Sequence, residues 1–456
     1  CFGELDAGEL LPALGELNEG LHADAFTKVE WKAKEQEDYD HFVQCEGDCG
    51  RWYHYICAFF PDPAQLPIGS MRTDLENSTF ICDSCRSKAP KARNAKGVEA
   101  APEVRKLQER RAHELPHCDT SRVVEEHTAS VLARQRVKAD AISVRLVSDR
   151  EYTYPVFSEM RQRYGDAYPE EFPYRSRVLL AFQTIRGHDV LFFAMYVQEY
   201  GADCPPPNTN RTYISYLDSV AFVETSPADQ RTTVYHAIIN GYLRYAAGLG
   251  MEYAHIWVAP PQSGDEYIFH CRPLHPKHGH KPMSMQKLRT WYEDMLQKAE
   301  EEGIVSHRQN IEEATKHLTS IREFPLFYGD FFPEEMQRML AQEDMHEERP
   351  HRAAAPRAEL EPSVPKLVRH TSLALAQKMQ KRAHQVRQRF LVAKLNSGVG
   401  GGAPLRLEPE RKRNDLVDSR LTFLQTCMGR HWQFNELRRA QYSTMMILAM
   451  LSVEMP

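Results

Sequence analysis

Hydrophobic and polar positions change period along the chain, and each change marks a different kind of element. Residues 1–85 are loop-rich and show no sustained period. A helical stretch follows from Glu103 to near Arg136. From Ile142 the spacing turns to that of strands: ISVRLV alternates, and RVLLAFQTI, VLFFAMYVQEY and TYISYLDSVAFV are apolar and rich in β-formers. Two long apolar-periodic helices are then predicted, Thr232–Leu249 and Ser284–Glu302, with the strand IWVAP between them. Strands mixed with helices in this order predict an α/β (α+β mixed) class, a central mixed β-sheet flanked by helices.

Breaks in the pattern divide the chain. SKAPKARNAKG, within 86–102, is a basic Ala/Pro strip that reads as a linker. Residues 342–368 are polar, aperiodic and rich in Pro and Ala, the composition of a disordered loop. Helix is expected again from Ser372 to Leu395, then a Gly-rich turn (GVGGGAP), and a last helix over Glu436–Leu451. The expected organisation is a small segment at 1–86, a linker and helical segment at 87–137, and a main domain at 138–456. No internal repeat is visible.

At 456 residues with 42% hydrophobic content the chain is large enough for two or three units with a sizeable core. A net charge of −6 does not suit coating a duplex by charge, so no direct DNA binding is expected; basic, lysine-rich partners suit it better. No apolar run approaches the ~20 residues a membrane helix needs, the nearest being Met445–Val453, so no membrane partner is expected. The chain opens on Cys1 and shows no signal peptide, which reads as a piece of something longer. Ten cysteines, most at metal-ligand spacing in one segment, argue for a reducing compartment over a disulfide scaffold.

Cys45, Cys49, His54, Cys57, Cys82 and Cys85 form C-x3-C-x4-H-x2-C-x24-C-x2-C. Thiolate and imidazole are the donors that tetrahedral zinc prefers, and close pairs let one turn present two ligands. Six ligands are too few for two ions, and four of the six would fill one site. His270, Cys271, His275, His278 and His280 make a second His-rich tract, but Pro273, Pro276 and Gly279 mark it as an exposed loop. Asp229 precedes Arg231-Thr232-Thr233 at the start of a helix. Free helix-start amides beside an arginine fork and hydroxyls suit a pyrophosphate, while an ordinary capped helix with a surface arginine fits the same residues. On helix 284–302, expected to be capped by Ser284 and stopped by Gly303, Leu288, Tyr292, Met295 and Ala299 share one face, the position of a core tyrosine.

The stretches VQEYGADCPPPN, YISYLDSV, RTTVYHAIINGYLRYAAGLG, AHIWVAPPQSGDEYIFHC and LRTWYEDML, in that order, resemble the catalytic domain of the CREB-binding-protein family of histone acetyltransferases, including its plant relatives. The match covers roughly 138–335 and resumes near 372–456, where LRRAQYSTMMILAML is similar to the family's closing helix. FVQCEGDCGRWYHYIC with FICDSC resembles the second half of the PHD finger that precedes that domain.

The resemblance implies an acetyl-CoA-binding acetyltransferase core behind a zinc finger. It also implies a nuclear protein that acetylates lysines of histones and other chromatin proteins as a transcriptional coactivator, with transcription factors among its partners. By it, Leu217, Asp218, Ser219, Arg231, Thr232, Ile256, Lys287 and Trp291 contact acetyl-CoA. Ser215, Tyr216 and Asp418 contact substrate, Trp257 orients the substrate lysine, and Tyr292 protonates the leaving sulfur. A phenol with a pKa near ~10 can supply that proton. Two departures weaken an acidic groove: Tyr328 stands before GDF where the family has an acid, and Leu421 replaces a further one. The competing expectation is a chromatin scaffold with an inactive acetyltransferase domain; the presence of Tyr292, Trp257, Arg231 and Asp218 argues against it.

Overall fold

The computed structural model describes residues 41–66, 70–76, 78–88, 102–260, 266–271, 283–347, 366–397 and 414–454. The chain divides into two compact units, 1–110 and 111–456. No helix among the described residues is long and apolar enough to cross a membrane.

In the first unit, β1 (Phe42–Gln44) and β2 (Trp52–His54) pair antiparallel, with Val43 opposite Tyr53. Among the described residues four short helices follow: α1 (Tyr55–Ala58), α2 (Ser70–Glu76), α3 (Asp83–Lys88) and α4 (Pro102–Glu109). Phe60, Leu66, Leu75 and Phe80 are buried, as are Val104 and Leu107 on α4. The Gln108 amide donates to Phe59 O at 2.9 Å. So small a core leaves much of the stability to other sources.

The second unit is built on a seven-stranded mixed sheet in the order β3-β4-β5-β6-β7-β9-β8. Its strands are β3 (Ile142–Pro155), β4 (Glu171–Ile185), β5 (His188–Tyr200), β6 (Arg211–Ser219), β7 (Tyr253–Trp257), β8 (Val305–Asn310) and β9 (Phe390–Leu395). Its helices are α5 (Asp119–Arg134), α6 (Ser158–Tyr164), α7 (Arg231–Gly248), α8 (Met285–Glu301), α9 (Ile311–Thr315), α10 (Phe331–Glu347), α11 (Lys366–Val386), α12 (Arg420–Gly429) and α13 (Leu437–Glu454). Every neighbouring pair is antiparallel except β6 with β7, which α7 joins as a crossover. On β5 every residue after His188 is buried, so helices cover both faces, and its unbroken apolar run follows from that. α7 packs closely on α5: a Cβ at Gly241 would lie 3.0 Å from Val124 Cα, so a larger residue there would have to push the two helices apart by a few tenths of an ångström.

The segment expected as helix over Ser372–Leu395 is two elements. α11 ends at Val386 and FLVAKL becomes strand β9, between β7 and β8. Its β-branched and apolar run pairs on both edges, and that tertiary partnership overrides the helical extension. The expected loop at 342–368 is also shorter, because 342–347 continue α10 and 366–368 begin α11. The remainder of that loop, and the turn GVGGGAP, lie outside the described residues. The stretch from Glu103 to Arg136 is interrupted between α4 and α5, where Pro116 lies.

A buried ionic network ties the sheet to both helices. Arg177 on β4 reaches Asp149 on β3 at 3.2 Å and Glu199 on β5 at 3.3 Å. It also donates to Tyr245 OH on α7 at 3.0 Å and to Thr120 Oγ1 on α5 at 2.8 Å. Arg175 takes the other oxygen of Asp149 at 2.9 Å, and Tyr242 OH donates to Glu199 at 2.9 Å. Two arginines match two carboxylates, so no charge is stranded.

At the N-terminus of α10, Asp330 is fully buried; burial pushes its carboxyl up to about 7, against the lowering effect of N–H groups at Phe331 and Phe332 and of the Tyr213 hydroxyl. A raised folded-state value makes this group's stability contribution complete below the unfolded carboxyl range, near ~4. That contribution is lost as pH rises through about 7. Two outcomes are expected. Arg177→Met, which leaves buried Glu199 without a cation while Asp149 keeps Arg175, should lower unfolding free energy by ~3–5 kcal/mol in a denaturant titration. Asp330→Asn should flatten the fall in melting temperature between pH 4 and 7; an unchanged slope would place that titration elsewhere.

Candidate functional site

The parallel pair β6/β7 is short. Arg211 to Ile214 pair with Tyr253 to Ile256, whereas β6 remains paired with β5 as far as Ser219 opposite Phe193. From Ser215 to Ser219 the edge of β6 that faces away from β5 therefore has no strand partner among the described residues, and the two strands fork. A bulge lies at the fork, where the register shifts between Tyr196 and Val197. Ser215 is the extra residue, and its Oγ is buried without a hydrogen-bond partner among the described residues. Unpaired backbone amides and carbonyls beside a buried, unsatisfied hydroxyl are a site for an extended, amide-bearing ligand.

The residues around the fork hold it open. Asp218 is half-buried, and its carboxylate accepts from Ile268 N at 2.9 Å, Phe269 N at 3.1 Å and Ser219 N at 2.8 Å. Burial raises its pKa, and these N–H groups pull the other way. Asp218 thus pins the 266–271 segment to β6, with its oxygens engaged by backbone. In that segment Tyr267 meets Tyr216 edge-on at 5.7 Å, and the Arg420 guanidinium lies 4.8 Å from the Tyr216 ring and 5.1 Å from the Tyr267 ring. Arg420 also donates to Tyr267 O at 2.5 Å. One cation from α12 clamps two tyrosines from separate segments.

Tyr292 faces inward from α8 with Met295 and Ala299, and Ser284 caps that helix by accepting from Lys287 N at 3.3 Å. Gly303 follows its end at φ +72°, as the sequence expects of a stop. Burial pushes the Tyr292 phenol well above its ordinary value, with Tyr267 and Asp218 adding to the effect, so it stays protonated. Trp291 stands edge-on to Tyr292 at 5.0 Å and to His236 on α7 at 4.4 Å.

At the end of β7, Trp257 is half-buried, stacked on Phe331 at 5.7 Å and edge-on to Phe390 at 5.6 Å. Ile256 beside it is fully buried, and Leu217 pairs with Met195 across β5/β6. Arg231 and Thr232 are exposed at the start of α7, whose N-cap Gln230 makes no side-chain cap. Lys287 is exposed in the first turn of α8. Asp418 is occupied: Ser148 Oγ donates to it at 2.6 Å and Asn414 N at 3.0 Å. Sequence reading did not single out Tyr267 or Arg420; Tyr267 lay within a quoted motif, but its clamp partner is 153 residues away.

In the first unit the six metal-ligand residues separate. Sγ atoms of Cys45, Cys49, Cys82 and Cys85 all lie within 4.8 Å of one another, and Cys49 is 3.7 Å from Cys82. Zinc–thiolate bonds of ~2.3 Å in a tetrahedron place sulfurs ~3.8 Å apart, so this donor set fits that ion. Backbone N–H groups of Gly47 and Cys82 donate to Cys45 Sγ at 3.4 and 3.3 Å, favouring thiolate. A Cβ on Gly47 would lie 2.9 Å from Cys85 Cβ, so glycine lets the two ligand turns meet. His54 and Cys57 are not in this cluster and pair with each other at 3.8 Å. Four of the six expected ligands thus gather at one point, while a cross-brace sends alternate pairs to different sites. In the His-rich tract, His270 pairs with Glu266 at 2.7 Å, and 272–280 lie outside the described residues.

Residues 128–399, more than half of the chain, match the model of the histone acetyltransferase domain KAT3. Protein cbp-1 of Caenorhabditis elegans is 32% identical over 90% of this chain and 21% of its own length. Histone acetyltransferase HAC12 of Arabidopsis thaliana is 28% identical over 92% of this chain and 29% of its own. A probable histone acetyltransferase of Oryza sativa, HAC-like 2, is 30% identical over 89% of this chain and 33% of its own. The chain thus spans between a fifth and a third of the length of these relatives. With the forked sheet and the extent of the domain match together, this chain belongs to the KAT3 histone acetyltransferase family.

Proposed function

We propose that this chain transfers acetyl from acetyl-CoA to lysine side chains of histones and other chromatin proteins, acting in the nucleus as a transcriptional coactivator. The observation that carries the reading is the fork between β6 and β7, with a buried, protonated tyrosine in the electrostatic neighbourhood of Asp218 and Tyr267. When bound, acetyl-CoA supplies a thioester acyl group. The free β6 edge at Leu217–Ser219 and the buried Ser215 Oγ fit its amide-bearing arm. Arg231, Thr232 and Lys287, all exposed at helix starts, fit its phosphates.

In this reading Tyr292 holds a proton at its phenol oxygen and delivers it to the departing sulfur. Its raised pKa keeps the proton in place without a separate acid. Trp257, fixed by Phe331 and Phe390, orients the incoming lysine. Asp218 positions the 266–271 segment, and the Arg420 clamp sets Tyr216 and Tyr267 as walls for the aliphatic stem. The amine attacks the acyl carbon, the C–S bond breaks as the C–N bond forms, and the lysine proton leaves to solvent. Lysine-rich tails, and transcription factors that recruit the protein, are its proposed partners; direct DNA binding is not part of the reading.

Tyr292→Phe should lower transfer of labelled acetyl to histone-tail peptides by ~10²-fold or more while acetyl-CoA binding persists. Trp257→Ala should raise the KM for peptide as well as lower kcat. Bound acetyl-CoA without transfer in the intact chain would instead favour a scaffold with an inactive domain. We further propose that Cys45, Cys49, Cys82 and Cys85 hold zinc. Metal analysis should find zinc that Cys82→Ser removes, and a chelator should expose residues 41–110 to protease while leaving the second unit protected.

A further inference from the structure

Apolar packing of α8 on α7 is non-directional, so by itself it leaves the axial position and rotation of α8 loosely defined. Polar contacts supply the direction. The Lys298 ammonium donates to His236 Nδ1 at 3.0 Å, and the His236 ring stands edge-on to Trp291 at 4.4 Å. One turn further along α7, Asn240 Nδ2 donates to Met295 O at 3.0 Å. His236 and Asn240 are each 2% exposed and share one face of α7 at i and i+4. Their partners Trp291, Met295 and Lys298 cover about two turns of α8, and Tyr292 lies inside that stretch.

Stability does not account for Asn240. Met295 O lies within α8, where a helical hydrogen bond already occupies it, so Asn240 is a second donor to a satisfied carbonyl. Its own Oδ1 is buried without a partner among the described residues. A stranded buried carbonyl costs at least as much as one added neutral hydrogen bond returns. At His236 the ammonium can only donate, so Nδ1 accepts and the ring proton is on Nε2. Nε2 is likewise buried without a partner among the described residues. Burial, then the Lys298 charge, lowers that imidazole to about 3 against the Trp291 backbone, so the ring is neutral at neutral pH.

We propose that His236 and Asn240 are positioning residues for acetyl transfer: they fix the axial position and rotation of α8, and so seat Trp291 and the Tyr292 phenol against acetyl-CoA. The inference rests on the proposed transfer reading. Trp291 is held between the His236 ring and Tyr292, which it meets edge-on at 5.0 Å. Tyr292 and Met295 share the inward face of α8 at i and i+3, so the bond at Met295 sets the direction of the phenol. Sliding α8 by a turn or rotating it by a residue breaks both contacts. Both residues act through α8 and neither touches the reacting atoms.

Asn240→Leu keeps the size of the side chain and removes the donor. Its melting temperature should be unchanged or raised. Its kcat for transfer to a histone-tail peptide should fall roughly 10- to 100-fold at unchanged peptide KM, the scale of a ~1 Å displacement. His236→Asn keeps an acceptor for Lys298 and removes the ring beside Trp291, so KM for acetyl-CoA should rise several-fold. In ¹⁵N-tryptophan-labelled chain the Trp291 indole N–H resonance, identified by its loss in Trp291→Phe, should shift in both variants without acetyl-CoA. That readout needs no activity: an inactive unaltered chain would overturn the transfer reading, while the resonance still decides the seating of α8. Should Asn240→Leu not fold, His236→Asn decides through its KM and the resonance. A kcat retained in Asn240→Leu, a loss of kcat that tracks a loss of melting temperature, or an unmoved Trp291 resonance would each overturn the positioning role.

Discussion

The parallel pairing of β6 with β7 stops at Ile214 and Ile256, and the second unit is arranged around that stop. An antiparallel sheet interrupted by a single crossover has one seam where strands run together, and slanted parallel hydrogen bonds are the easiest to end early. The bulge at Ser215 turns the end of β6 away and leaves a backbone edge unspent. What holds the opening is polar. Asp218 pins the 266–271 segment, and α12 reaches across with Arg420 to clamp Tyr216 and Tyr267. The opening is therefore built into the fold, and its shape follows from the segments that border it.

Buried charge is treated in two ways within this unit. Around Arg177, two cations meet two carboxylates and the remaining donors find Tyr245 and Thr120, so the network locks β3, β4, β5, α5 and α7 in one register. Such a group adds specificity to packing because no slipped arrangement satisfies every member. At Arg211 the same kind of cation faces a neutral histidine and a cavity, and the imbalance remains. The first arrangement is structural by its completeness; the second is eased by partial exposure and by the stacking of Arg211 on Tyr253.

The first unit takes another route to stability. Its apolar core is small, and four cysteine sulfurs gathered from two distant turns form a donor set that would add stability on holding a metal. Gly47 is required at the meeting of those turns because any side chain there would strike Cys85.

The sequence by itself determined a good deal. Period-two and near-continuous apolar runs marked β3 to β6, helical spacing marked α7, α8 and α13, and cysteine spacing marked a metal site, because each signal is carried by neighbours in the chain. It misread FLVAKL as the end of a helix, since a six-residue apolar run has no local feature to show that β7 and β8 await it. It could not say which four of six ligands gather, because that depends on how the β1–β2 hairpin folds against the 82–85 turn. Only the tertiary structure decided that the oxygens of Asp218 and Asp418 are occupied by neighbouring groups, and that Arg420 meets Tyr267. Those contacts join residues many positions apart, and no pattern within a short window encodes them.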